Sequence, residues 1–197
     1  MKIGGAWGAV VFGLAVVVGG AVGGLYLIPK RDVLDDTYSR ICVEITSKRL
    51  IRPSSMEIIR AFAGIPKDQE KGSLLSEIRA DADPKYPNIT QWREEKAERN
   101  YAAGRPNKTV DAFVEYSAAN RMGGLTRGAT VCSFTEEPDY DGSYGFEIVK
   151  VILDDTTITS KDLEWYGTVD SDELHLAKVN PGMAARVKYL FDRTSTR

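Results

Sequence analysis

One histidine, two cysteines and almost no net charge distinguish this 197-residue chain, and each scarcity removes a class of function. With 26 basic and 28 acidic side chains the formal charge is −2, so the chain lacks the basic footprint with which nucleic-acid binders neutralise phosphates. His175 has no second imidazole to share a zinc ion with, and a Ser-His-Asp triad would have to be built on it alone. Its setting, Glu173-Leu174-His175-Leu176, reads as a surface helix. There is no phosphate loop and no Gly-x-Gly-x-x-Gly between a strand and a helix. No metal site, cofactor or nucleic-acid partner is therefore expected.

What is present is unevenly distributed. Ile3 to Ile28 form 26 consecutive uncharged positions, bracketed by Lys2 and by Lys30-Arg31. As a helix this stretch would reach roughly 39 Å, more than the ~30 Å hydrocarbon core of a bilayer. Trp7 and Tyr26 would lie roughly 28 Å apart, near the separation of the two aromatic belts. A transmembrane anchor with its flank over residues 1–31 is the expectation. The same residues also read as a cleaved secretion signal, with Ala21-Val22-Gly23 as the cleavage site, although the apolar run outlasts the usual h-region of about 7–15 residues. Eight of the 26 positions are glycine and four alanine. Ala6, Gly13 and Gly20 recur every seven residues, with Ala9 and Gly24 on adjoining positions of the same face. Small residues let helices approach closely in lipid, where the hydrophobic effect cannot drive association. This face is the candidate packing surface for other integral membrane subunits, and plain compositional bias is its rival explanation.

Residues 32–197 read as one exported α+β domain. Leu34, Tyr38, Ile41, Cys42 and Ile45 follow helical spacing after Asp32, a candidate cap. Arg52-Pro53 ends that helix, and Met56 to Ala63 reads as a strand. The segment at about 64–108 looks inserted. It holds a short helix capped by Ser73, a break at Asp83-Pro84-Lys85-Tyr86-Pro87, and a second helix capped by Thr90. That second helix is polar nearly all round, which suggests surface. From Thr109 the alternation of Val110, Ala112, Val114 and Tyr116 marks a strand. Ala129 to Glu136 and Phe146 to Leu153 continue an antiparallel meander, with Asp154-Asp155 as a turn before Thr156 to Thr159. Ser160 and Ser171 are further candidate caps, and Asn180-Pro181 would start a last helix over Met183 to Phe191.

Cys42 falls on the apolar face of the first helix and Cys132 in a strand 90 residues later. One cysteine in each half of an exported domain suggests a disulfide stapling helix to sheet; two unrelated buried thiols are the alternative. The succession Cys42, Pro53-Ser54-Ser55, a strand, then Tyr116, Ala118, Asn120, Gly123 and Cys132 resembles small exported bacterial domains of unassigned function. The resemblance spans roughly residues 38–153 and implies a disulfide and a compact helix-on-sheet fold, with no activity attached. The insertion and the long tail depart from that pattern.

Glu136, Glu137, Asp139 and Asp141 gather near one sheet end and read as solvated surface around a hairpin turn. Asp139-Tyr140-Asp141-Gly142-Ser143 with Glu147 is too short for an EF-hand loop. Residues 29–197 carry 25 basic and 28 acidic side chains, a balance that disfavours a polybasic attachment to anionic lipid. The expected protein is a single-pass accessory or structural subunit of a larger membrane complex. Its helix lies in the cell inner membrane, and residues 29–197 make protein contacts on the periplasmic side. The alternatives are an envelope hydrolase using two carboxylates on cell-wall sugar and a signal-cleaved soluble periplasmic binding protein.

Overall fold

The computed structural model describes residues 28–50, 53–159 and 175–195. No helix among them is long and apolar enough to cross a membrane. The expected span lies outside the described residues in all but its last position, and with it Ala6, Ala9, Gly13, Gly20 and Gly24; Ser160 and Ser171 lie outside them too. The chain divides into a main unit, Asp35–Asn180, and a second formed by the described residues of Met1–Leu34 and Pro181–Arg197.

Helix α1 is Lys30–Arg49. It starts two residues before Asp32, which therefore sits in its first turn. Ion pairs at i,i+4 line its outer side, Arg40–Asp36 at 3.0 Å and Lys48–Glu44 at 2.9 Å, each contributing a few tenths of a kcal/mol. Tyr38, Cys42, Ile45 and Thr46 form the buried stripe of its main-unit portion. Thr46 is tolerated there because its hydroxyl donates to the Cys42 carbonyl at 2.7 Å.

The strands are β1 (Glu57–Ala63), β2 (Lys67–Asp68), β3 (Lys108–Ala119), β4 (Leu125–Pro138), β5 (Tyr144–Leu153), β6 (Thr156–Thr159) and β7 (His175–Val179). They form one antiparallel sheet in the order β1-β3-β4-β5-β6, in which β2 also pairs with β3 and β7 with β5. The meander from β3 onward follows the alternation in the sequence. Along β3, Val110, Ala112, Val114, Tyr116 and Ala118 are buried, and Phe134, Phe146, Ile148 and Val151 continue the same face on β4 and β5. Tyr38 packs on this face, its ring 5.0 Å from Phe134 and edge-on to Phe146 at 5.5 Å. Burying side chains of this size contributes about 1.5–3 kcal/mol each. A disulfide joins Cys42 to Cys132 with the Cα atoms 5.7 Å apart. The domain is thus α+β, an antiparallel sheet packed against helices with one disulfide.

Between β1 and β3 the inserted segment forms α2 (Lys71–Ala80) and α3 (Pro87–Ala102). Leu74, Ile78 and Ala97 make a small core of their own, with Leu75 and Tyr101 against it. Ser73 does not cap α2; Glu70 holds that position without a side-chain bond. Thr90 does not cap α3 either. Tyr86 precedes its first residue, Pro87, where the missing N–H is no loss. Nor is α3 wholly a surface helix: Lys96, Ala97 and Asn100 are buried.

In the tail, His175 belongs to strand β7 and not to a helix. The last helix, α4, is Met183–Ser195. Pro181 lies before it, so proline does not occupy its first position.

Candidate functional site

One face of the sheet carries α1; the opposite, open face keeps Phe62 and Phe113 exposed among the described residues. On the open face the strand register aligns Phe62, Phe113, Val131 and Ile152 in a row across β1, β3, β4 and β5. Phe62 stacks on Phe113 with ring centroids 5.3 Å apart. These two are 45% and 38% exposed, far more than their counterparts on the α1 side. Arg60 and Glu115 pair at 2.7 Å on one side of the row, and the Arg60 guanidinium stands 5.8 Å from the centre of the Phe62 ring. On the other side the Ser133 hydroxyl donates to Asp111 at 2.6 Å, with Lys150 beside them in register. The row and the Arg60–Glu115 side of it line a shallow trough of about 670 Å³, closed at its charged border by Arg127, Asp154 and Asp155; the Asp111–Ser133 pair lies outside it. Such a contiguous exposed patch with a polar rim is the form of a protein contact surface.

At one end of the trough the β5–β6 turn is held in place by Asp154. Asp154 and Asp155 both have positive φ, 45° and 68°, as two-residue hairpin turns require. The Asp154 carboxylate accepts from the Ala129 N–H at 3.1 Å and from the Tyr116 hydroxyl at 3.0 Å. Tyr116 reaches it by lying across β4 over Gly128, its register partner. A Cβ on Gly128 would fall 2.5 Å from the tyrosine ring and 2.7 Å from the carboxylate.

Burial first, then the hydrogen bond to Asp154 and its charge, push the Tyr116 phenol up from 10.0 to about 12. An unfolded chain would release that proton near pH 10, whereas the native state keeps it. Stability should therefore be full below about pH 10 and fall toward pH 12, by roughly 1–2 kcal/mol once solvent screening at the hydroxyl is allowed for. Urea midpoints measured between about pH 9 and pH 11.5 should fall less steeply for Tyr116→Phe than for wild type. Equal slopes would assign the alkaline loss to another group.

In the acidic cluster at the opposite end, Asp141 is exposed as the sequence suggests, but Glu136, Glu137 and Asp139 are not plain solvated surface. Glu136 is 2% exposed and accepts from the Tyr38 hydroxyl at 2.9 Å. Glu137 pairs with the buried Lys96 at 3.2 Å. Asp139 pairs with Lys178 of β7 at 2.6 Å. That contact, more than the N–H of Tyr140, holds the Asp139 carboxyl below its ordinary range. Its stabilising effect is present above the usual carboxylate value and lost as pH falls toward the lowered one. Asp141 is lowered by the Ser143 hydroxyl and N–H, which close the β4–β5 turn at Gly142, φ 78°. Among the described residues no group of three or more His, Cys, Asp or Glu side chains is arranged to hold a metal ion.

Of the sites expected from sequence, the structure brings Cys42 and Cys132 together. It places the acidic cluster and β7 at one sheet end, and the backbone of His175 opposite Glu147. The open face went unread, although Phe113 breaks the polar phase formed by Asp111, Glu115 and Ser117, and that break was its one visible signal. Comparison with known proteins finds no match: no family model, no curated protein and no solved structure is significantly similar to the chain.

Proposed function

We propose that the protein is a single-pass accessory subunit of a membrane complex in the cell inner membrane, with its disulfide-bearing domain on the periplasmic side. The observation that carries this reading is the Phe62–Phe113–Val131–Ile152 row, with its two phenylalanines exposed and its two aliphatic members half-buried. It is a surface built for a protein neighbour, in a chain whose residues Ile3 to Ile28 are 26 uncharged, glycine-rich positions. Integral membrane subunits meet the Ala6, Ala9, Gly13, Gly20 and Gly24 face, and their exported parts meet the open sheet face. The hydrolase alternative draws no support from the trough. Glu115 is engaged by Arg60, and Asp154 by two donors that fix a turn.

Purification of the full chain in mild detergent, followed by mass spectrometry, should recover a constant set of membrane-protein companions with residues 1–23 still attached. The pair Phe62→Thr and Phe113→Thr keeps β-forming residues at exposed positions, so it should preserve the thermal midpoint and deplete those companions. Gly13→Leu with Gly20→Leu should loosen association while leaving the exported domain folded. A monomer without companions, or a mature chain starting beyond residue 23, would refute the proposal.

A further inference from the structure

The α2–α3 hairpin carries a second exposed apolar group that neither its own core nor the open sheet face uses. Tyr86, Ile89 and Trp92, at the start of α3, are 58%, 55% and 54% exposed. Ile89 and Trp92 lie three residues apart on one helical face, and Tyr86 immediately precedes the helix. The inner side of the hairpin is already satisfied by Leu74, Ile78 and Ala97, and by the Arg79–Glu94 pair at 2.7 Å. Lys96 stands 5.3 Å from the centre of the Trp92 ring, which holds one face of the indole and leaves the rest of it, with Tyr86 and Ile89, exposed.

Their position relative to the chain's exit is what gives them a partner. The C-terminal half of α3 is fastened to the Glu137–Tyr140 end of the sheet. Lys96 pairs with Glu137, the Asn100 amide donates to the Pro138 carbonyl at 2.9 Å, and Arg99 donates to the Tyr140 hydroxyl at 2.6 Å. Helix α1 descends from this same end, because Tyr38 bonds Glu136 whereas Cys42, a turn later, is bridged to Cys132. The main-unit start of α1, Asp35, is thus at the end that bears the hairpin. Asp35 is seven positions after Ile28, the end of the uncharged run, and because α1 is already helical from Lys30 that stretch reaches roughly 15 Å at most. Trp92 lies eight residues before Asn100, so the exposed group is roughly 12 Å along α3 from that attachment.

Resting on the membrane-anchored reading, we infer that Tyr86, Ile89 and Trp92 seat in the interfacial layer of the bilayer that holds the N-terminal helix. Tryptophan and tyrosine favour that layer, where an apolar ring meets lipid and its polar edge meets water. Nearby charges are mixed, Asp81, Asp83, Glu94 and Glu95 against Lys85, Arg93 and Lys96, so contact is made by ring insertion and does not depend on anionic headgroups. A second attachment point of this kind would fix the orientation of the domain above the membrane.

The test uses the full chain in phosphatidylcholine vesicles. One variant, Trp7→Phe with Trp165→Phe, retains Trp92 alone; another, Trp92→Phe with Trp165→Phe, retains Trp7. Lipids brominated near the glycerol end of the acyl chain should quench Trp92 and blue-shift its emission, and adding Tyr86→Ser with Ile89→Ser should reverse both effects. Trp7 quenched with Trp92 emitting as in water would overturn this inference alone and leave the tip to a protein surface absent from the vesicles. Neither tryptophan quenched would overturn the anchor and this inference with it.

Discussion

Replacing both Cys42 and Cys132 with alanine is expected to lower the stability of the α+β domain by about 4–5 kcal/mol. The bridge closes a loop of 90 residues, and on the chain-entropy account the stabilisation comes mainly from restricting the unfolded chain. Typical domains have about 5–15 kcal/mol in total, so the loss would leave a protein that samples its unfolded state readily. The sheet itself should survive, because Tyr38 and Ile45 remain buried on α1 and the β3–β4–β5 ladders do not depend on sulfur. Urea unfolding checks this in two ways. The midpoint should drop, and the m-value should rise as the uncrosslinked chain exposes more surface. Reductant should shift wild type toward the variant and leave the variant unchanged. An unaltered midpoint in the double variant would mean that helix and sheet are held together by packing alone.

The parts of this fold that could be read from the sequence are those whose cause is local. Alternation along Val110–Tyr116 marks β3 because one face of the strand is buried and the other is not. Asp154-Asp155 marks a turn because these residues tolerate positive φ. Cys42 and Cys132 could be paired because one sits on an apolar helix face and the other on a strand. What escaped has distant causes. Lys96 and Asn100 look like surface residues until Glu137 and the Pro138 carbonyl arrive from 41 and 38 positions away. Glu136 is buried because Tyr38, 98 positions earlier, donates to it. Leu174-His175-Leu176 is too short to separate the strand period from a helical one, and the strand at His175 forms because β5 offers it an edge. Phe113 sits in the polar phase of β3 for a reason visible only in cross-strand register, where it joins Phe62 and Val131. Within β3 the break in polar phase marks Phe113 alone; its companions on β1, β4 and β5 follow only from the register.

Tyr38 concentrates these distant causes in one side chain, and its two substitutions should separate them. Tyr38→Ala removes a fully buried ring wedged against Phe134 and Phe146, at an expected cost of about 3–5 kcal/mol from lost burial and the cavity left behind. Tyr38→Phe keeps the ring and removes only the donor to Glu136, which should cost about 1.5–3 kcal/mol, the range for a hydrogen bond to a charged group. In the Glu136→Gln background the same Tyr38→Phe change should cost about 1 kcal/mol, since the acceptor is now neutral. The coupling between the two positions, read from urea midpoints of the four proteins, should be about 0.5–2 kcal/mol. A coupling near zero would show that the buried carboxylate is held by its other neighbours, and that α1 contributes to this end of the sheet through the tyrosine ring alone. A large coupling would make the hydroxyl–carboxylate contact the second fastening of α1, one helical turn from the disulfide and at the end where the hairpin is attached.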